Sequence, residues 1–124
     1  MIPEPGMVLW VALGSRLPPG HEQSGERPAL VVGVPGKLGV PRFPMLLVAP
    51  ITSFAEQSWA LRSPELYPVM QAGSASLPRA SLVLLDQLQS IDIRRVLRWL
   101  GTLSKRQYRP LADSLKTMLS QAGQ

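Results

Sequence analysis

Gly20-His21-Glu22-Gln23-Ser24-Gly25-Glu26-Arg27-Pro28-Ala29-Leu30-Val31-Val32 is a polar loop that runs straight into an apolar strand. It gathers one His, two Glu, one Gln and one Arg where a rigid strand fixes the direction of the last of them, Arg27. Pro28 to Val34 is a continuous apolar run bounded by Arg27 and by Pro35-Gly36, and Met45 to Ile51 is a second. The two read as paired strands that share a buried position.

Working outward, Met7 to Leu13 reads as an earlier strand between Gly6 and Gly14, followed by a loop through Pro18, Pro19, Gly20 and Gly25. The connection from Gly36 to Pro44 carries Lys37 and Arg42. Ser53 to Pro64 is a polar segment, expected to be a mobile loop, with Trp59 and Arg62 as its only large side chains able to reach a ligand or the core. Glu65 to Gln71 reads as an edge strand, since Pro68 lacks the amide a central strand needs, and Ser81 to Leu85 with Gln87 to Ile91 continues the sheet.

Ile93 to Leu100 reads as a short helical turn with Val96, Leu97 and Leu100 inward and Arg94, Arg95 and Arg98 outward. A longer helix is expected from Ser104, where Ser-Lys-Arg-Gln offers a capping box. Tyr108, Leu111, Leu115, Met118 and Leu119 fall on one of its faces, and Pro110 should kink the helix or mark its start. Many short strands followed by a helix make a mainly β (α+β) chain. Without a repeat or linker, residues 1–124 read as one domain.

The hydrophobic share is 45% and the charged share 17%, ordinary for a globular fold and unlike a disordered chain. Thirteen Lys and Arg against eight Asp and Glu give a formal charge of +5 and a pI near 10.5, which suits a polyanionic partner or simply a basic solvated surface. There is no Cys, so no disulfide or thiolate metal site, and a single His excludes a multi-histidine metal site within one chain. The N-terminus has no signal-peptide pattern and no apolar run approaches membrane-spanning length, so a cytoplasmic protein with no membrane partner is expected.

Gly20-His21-Glu22-Gln23, then Gly25, then Arg27-Pro28-Ala29-Leu30-Val31-Val32, resembles the signature loop and second strand of the MazF/PemK family of toxin endoribonucleases. Val48-Ala49-Pro50-Ile51-Thr52-Ser53 is similar to that family's third strand with its Thr-Ser pair. Leu85-Asp86-Gln87 with Ser90-Ile91-Asp92 is similar to its late strand, Arg95 to the Arg just beyond, and Gly6 to Trp10 to its opening strand. The blocks come in the family's order over nearly the whole chain, and His21 places the resemblance nearest the PemK/Kid branch. The resemblance implies an SH3-like, strongly twisted small β-barrel with a C-terminal helix, of the CcdB/MazF/PemK kind, forming a homodimer.

It also implies a toxin of a type II toxin–antitoxin pair that causes growth arrest: a sequence-selective endoribonuclease (mRNA interferase) cutting single-stranded RNA without metal or cofactor, giving 2′,3′-cyclic phosphate and 5′-hydroxyl ends. Its second partner would be an acidic cognate antitoxin with a segment that folds on binding. The catalytic set implied is Arg27, Thr52, His21 and Asp86, with Arg27 and Thr52 stressed in the MazF branch and the His and Asp in the Kid branch. Such an enzyme must activate the 2′-hydroxyl, stabilise the phosphorane and protonate the leaving oxygen. Arg27 suits the charge stabilisation, Thr52 adds a hydroxyl donor, and Glu22, Asp86 and His21 can each accept a proton. Leu84 stands where the Kid branch has an Arg, which removes one general acid.

Glu22, Gln23, Ser53 and Gln87 are candidate RNA contacts, and Lys37 and Arg42 candidate electrostatic guides. Each has a plainer reading. Arg27 also suits a surface ion pair with Glu22 or Glu26, Thr52 a turn cap, Gln23 and Gln87 a tie between loops, Asp86 a strand bend, and Lys37 and Arg42 solubility. Trp10 and Trp99 are expected in core or dimer contacts, Trp59 in partial burial or on a base, and Arg95 as a brace. Two alternatives stand beside the enzyme: a non-catalytic binding toxin on the same fold, such as a gyrase poison of the related CcdB family, and a degenerate toxin inactivated at Leu84.

Overall fold

The computed structural model describes residues 2–15, 18 and 20–121. Its elements are β1 (Met7–Ala12), β2 (Glu26–Gly33), β3 (Met45–Ser53), α1 (Ser58–Leu61), β4 (Val69–Met70), β5 (Ser81–Val83), β6 (Gln89–Asp92), β7 (Val96–Thr102) and α2 (Lys105–Leu119). The sheet is antiparallel in the order β4-β5-β3-β2-β1-β7, with β6 also paired to β3. This is the β-rich, helix-last arrangement expected.

The sheet stays open. β4 and β7 end the strand order without pairing, and β7 instead packs closely on the 3₁₀ turn Ser74–Ser76: a Cβ on Gly101 would stand 2.6 Å from the carbonyl carbon of Ala75.

β2 lies between β1 and β3, and its apolar run feeds both sides of the sheet because successive side chains point to opposite faces. Leu30 joins Val8, Ala49, Ile51 and Val83 on the side covered by Leu111 and Leu115 of α2. Ala29 and Val31 join Leu9, Val11, Leu46, Val48 and Ile91 on the other. Fully burying a Leu of this kind contributes about 1.5–3 kcal/mol.

β3 changes partner along its length: Met45 to Val48 pair with β6, and Ile51 to Ser53 with β5. Pro50 stands at the change. It has no N–H to donate, and its carbonyl accepts the amide of Leu84 at 2.9 Å. The chain from Leu84 to Gln87 therefore crosses directly beside the C-terminal half of β3.

Several expectations are corrected. Ile93 to Leu100 is not a helical turn: only Ile93–Arg95 coil as a 3₁₀ turn, and Val96 onward is β7, because the free edge of β1 supplies hydrogen-bond partners that a short helix cannot match. Leu97 is accordingly exposed. The polar segment after Ser53 contains the helical turn α1, anchored by buried Ala60 against Leu82 and Leu84. The edge strand before Gln71 contracts to Val69–Met70.

In α2 the capping box forms as expected, with Ser104 Oγ accepting the Gln107 amide at 3.1 Å. The helix starts at Lys105 and carries Pro110 inside it, while Leu119 is exposed and outside the core stripe. Of the expected loop between Pro18 and Gly25, Pro19 lies outside the described residues. Among the described residues no helix is long and apolar enough to cross a membrane.

Candidate functional site

The polar loop before β2 is closed at its mouth by two backbone hydrogen bonds, Leu13 N–H to the Gly25 carbonyl at 2.9 Å and Gly25 N–H to the Gly14 carbonyl at 2.8 Å. Gly14 and Gly25 have φ of +77° and +75°, a conformation that glycine adopts without a Cβ clash. The loop thus enters and leaves at one point, and β2 begins at Glu26, two residues earlier than the apolar run suggests. Arg27 is therefore a strand residue.

Its guanidinium is oriented by the loop itself. Nε donates to the Ser24 carbonyl at 2.9 Å, and Nη1 donates to the side-chain oxygen of Gln23. Two of five N–H donors are engaged, leaving three for an incoming anion. Arg27 pairs with neither Glu22 nor Glu26: the ion pairs among the described residues are Lys37 with Glu4 and Arg94 with Asp92.

Ala29 faces Pro50 and Leu30 faces Ala49 in the β2–β3 ladder. Extending that register by two residues brings Arg27 opposite Thr52. Both border a cavity of about 380 Å³, whose other walls include Trp10, Pro28, Ile51, Leu77 and Arg79. Ser53 also reaches it.

A second group lies beside the loop. Gln87, on the 3₁₀ turn Leu85–Gln87, accepts the Gln23 amide at 2.7 Å and donates to the His21 carbonyl at 3.2 Å, while Gln89 donates to the Gln23 carbonyl at 3.5 Å. Gln23 and Gln87 are thus ties that hold the loop. The side chains of His21 and Glu22 remain exposed.

Asp86 shares the turn with Gln87, and its carboxylate accepts the Tyr67 hydroxyl at 2.7 Å. That hydrogen bond, with partial burial and the Asp86 charge behind it, raises the Tyr67 pKa above the ordinary phenol value. Trp59 meets Tyr67 edge to face with ring centroids 4.9 Å apart. Leu84 is buried with Ala60 and Leu82, so this position packs the core.

Lys37 and Arg42 are not brought to the cavity. They lie in the β2–β3 connection, at the opposite end of those strands from Arg27 and Thr52; six residues of strand span about 20 Å. Lys37 is held by Glu4 at 2.8 Å, and Arg42 lies over Phe43 at 5.1 Å. Arg95 reaches the Ala12 carbonyl at 3.4 Å, as a brace would. Trp99 is exposed, and its indole donates to the Gly101 carbonyl at 2.8 Å.

The family model of the PemK-like, MazF-like toxins of type II toxin–antitoxin systems matches residues 4–119. The chain belongs to this family. Among solved structures, the PemK/MazF-like fold aligns with MazF from Deinococcus radiodurans at a TM-score of 0.72 and 25% identity, over 98% of this chain and 99% of that one. A MazE–MazF structure from the same organism gives 0.67 at 24% identity, over 98% and 99%. A mycobacterial endoribonuclease in complex with its cognate antitoxin gives 0.69 at 15% identity, over 99% and 100%; these two show the shared fold. No curated protein sequence matches the chain.

Within a PemK/MazF-like toxin, Arg27, Thr52 and Ser53 line the cavity, His21, Gln23 and Gln87 form the loop tie, Asp86 shares the turn of Gln87, and Lys37 and Arg42 lie apart from both. Sequence reasoning gave Trp10 a core or dimer role and missed Arg79 and Tyr67. Arg79 sits in Leu77-Pro78-Arg79-Ala80, which has no motif. Tyr67 is recognisable only through its contact with Asp86.

Proposed function

We propose that residues 1–124 form one toxin endoribonuclease domain that cuts single-stranded RNA, such as mRNA, in the cytoplasm without a metal or cofactor. A homodimer is the active form, and an acidic cognate antitoxin silences it. The observation that carries this reading is that Arg27 and Thr52 line one cavity, with three guanidinium donors left for a phosphate. The family and a basic chain of formal charge +5 support it.

In the reaction the 2′-hydroxyl oxygen attacks the adjacent phosphorus, the bond to the 5′-oxygen breaks, and a 2′,3′-cyclic phosphate and a 5′-hydroxyl leave. Arg27 donates to the phosphate oxygens, whose charge is greatest in the pentacovalent transition state, and Thr52 adds a hydroxyl donor. The proton taken from the 2′-hydroxyl and the one delivered to the 5′-oxygen need two groups. His21, exposed on the loop, is suited to proton transfer. Asp86, with one oxygen held by Tyr67, keeps the other available as the partner base.

Glu22 and Ser53 serve as RNA contacts, and Gln23 and Gln87 hold the loop that presents them. Lys37 and Arg42 attract RNA only at long range. DNA, lacking the 2′-hydroxyl, is bound but not cut.

The test is incubation of the purified protein with a long single-stranded RNA in excess chelator. Fragments ending in cyclic phosphate and 5′-hydroxyl are expected; intact RNA overturns the proposal and favours a non-catalytic toxin.

A further inference from the structure

The cavity beside Arg27 contains more recognition chemistry than phosphate cleavage uses. Its walls are apolar and aromatic, from Pro28, Ile51, Leu77 and Trp10. Trp10 is fixed from two directions: its indole N–H donates to Glu26 Oε1 at 3.2 Å, and the Arg98 guanidinium lies 5.8 Å from its ring centroid.

Arg79 lines the same cavity as Arg27, on a segment that is itself tied down. Phe54 N–H donates to the Ala80 carbonyl at 3.0 Å, Gly73 N–H to the Leu77 carbonyl at 2.7 Å, and the hydroxyl of buried Ser81 to the Arg79 carbonyl at 2.9 Å. The Arg79 guanidinium is exposed and has no hydrogen-bond or ion-pair partner among the described residues. A rigid backbone thus presents a free cation to an apolar hollow of about 380 Å³. That size lies within the range of sites that enclose a small organic group.

We propose that this cavity is a nucleotide subsite: it takes one unstacked base of the RNA against Trp10, while Arg79 binds the phosphate next to the one held by Arg27. The subsite rests on the ribonuclease reading and extends it to substrate selection. Base stacking on an aromatic ring tolerates any sequence, because every base has a π face. Selection comes from Glu26. With Oε1 taken by the Trp10 indole, Oε2 remains to accept from a base amino group, as carboxylates accept from cytosine. Cytosine, adenine and guanine carry such a group, whereas uracil would set a carbonyl oxygen against the carboxylate.

The test uses single-stranded deoxyoligonucleotides, which are not cut, and compares wild type with Arg79→Gln and with Arg106→Gln. Arg106 is exposed on α2, and its change removes the same charge elsewhere. For Arg79→Gln we expect a Kd about tenfold higher and a salt slope reduced by about 0.7, the loss of one phosphate contact to a single strand. Arg106→Gln should change neither. In RNA cleavage Arg79→Gln should raise KM with kcat nearly unchanged.

Oligo-dC should bind more tightly than oligo-dT, and Glu26→Gln should narrow that gap while Trp10→Phe keeps it. If the wild type cuts RNA but Arg79→Gln behaves as Arg106→Gln, the subsite is wrong and the ribonuclease stands. If the wild type neither cuts RNA nor binds any oligonucleotide, both fall.

Discussion

The side-chain oxygen of Gln87 accepts the backbone N–H of Gln23 at 2.7 Å, joining residues 64 apart in the chain, and the nitrogen of the same amide donates to the His21 carbonyl at 3.2 Å. One side chain therefore fixes the loop that presents His21 and, through the Gln23 side chain, the Arg27 guanidinium. Gln87→Leu removes both bonds and should cost about 0.5–1.5 kcal/mol, most of it at the part-buried Gln23 amide. Hydrogen exchange should locate the effect: the Gln23 amide exchanges at least about tenfold faster, while Leu30 in the middle of β2 is unchanged. Equal exchange at Gln23 would show that the tie is dispensable.

Arg27→Ala should lower RNA cleavage by about 10²–10³-fold or more, the usual loss when a donor to a transition-state anion is removed. Far-ultraviolet circular dichroism should be unaltered. Arg27→Lys should recover little, because a single ammonium cannot replace the fork that bonds Gln23, Ser24 and a phosphate together. For His21→Ala the cleavage rate should fall, as expected when a group that moves a proton is removed. A wild-type rate at every pH removes His21 from the proton transfers.

Both tyrosines of the chain are held in their neutral form. The Tyr67 pKa is raised first by its hydrogen bond to Asp86, and that of Tyr108 by its burial where α2 packs on the core. Because folding raises these values, the stability they bring is fully present at neutral pH and is lost as pH climbs above about 10 through the folded-state values. Ultraviolet titration should find both phenols ionising above free tyrosine. Tyr67→Phe should leave one transition, and ionisation of both at the ordinary value would contradict the Tyr67–Asp86 bond.

Gly101→Ala places a Cβ 2.6 Å from the carbonyl carbon of Ala75, where backbone cannot move aside as a side chain can. The cost should be about 1–3 kcal/mol, seen as a Tm lowered by several degrees. Gly39→Ala, with no atom near the new Cβ, is the control and should leave Tm unchanged.

Legibility in the sequence followed the range of the forces involved. The strand at Pro28 to Val34 and the capped helix after Ser104 were readable because apolar period and capping are local signals. β7 was not. Val96-Leu97-Arg98-Trp99-Leu100 fits a helix or a strand, and only the unpaired edge of β1 selects the strand. The Arg27 and Thr52 blocks were visible as motifs, but their opposition depends on β2–β3 register. Asp86 was visible too, whereas its partner Tyr67 lies in a stretch read only as an edge strand.

By itself the sequence determined the β-rich, helix-last order, the apolar pair of strands at Pro28 to Val34 and Met45 to Ile51, the family and its candidate polar residues. Each depends on residue type and spacing along the chain. Tertiary structure alone decided that Gln23 and Gln87 hold the loop, that Lys37 and Arg42 lie at the far end of the strands, and that Arg79 and Arg27 line one cavity with Trp10. Those relations join residues tens of positions apart. The hydrogen-bond register and the curl of the sheet fix them, and neither is written in any short stretch of chain.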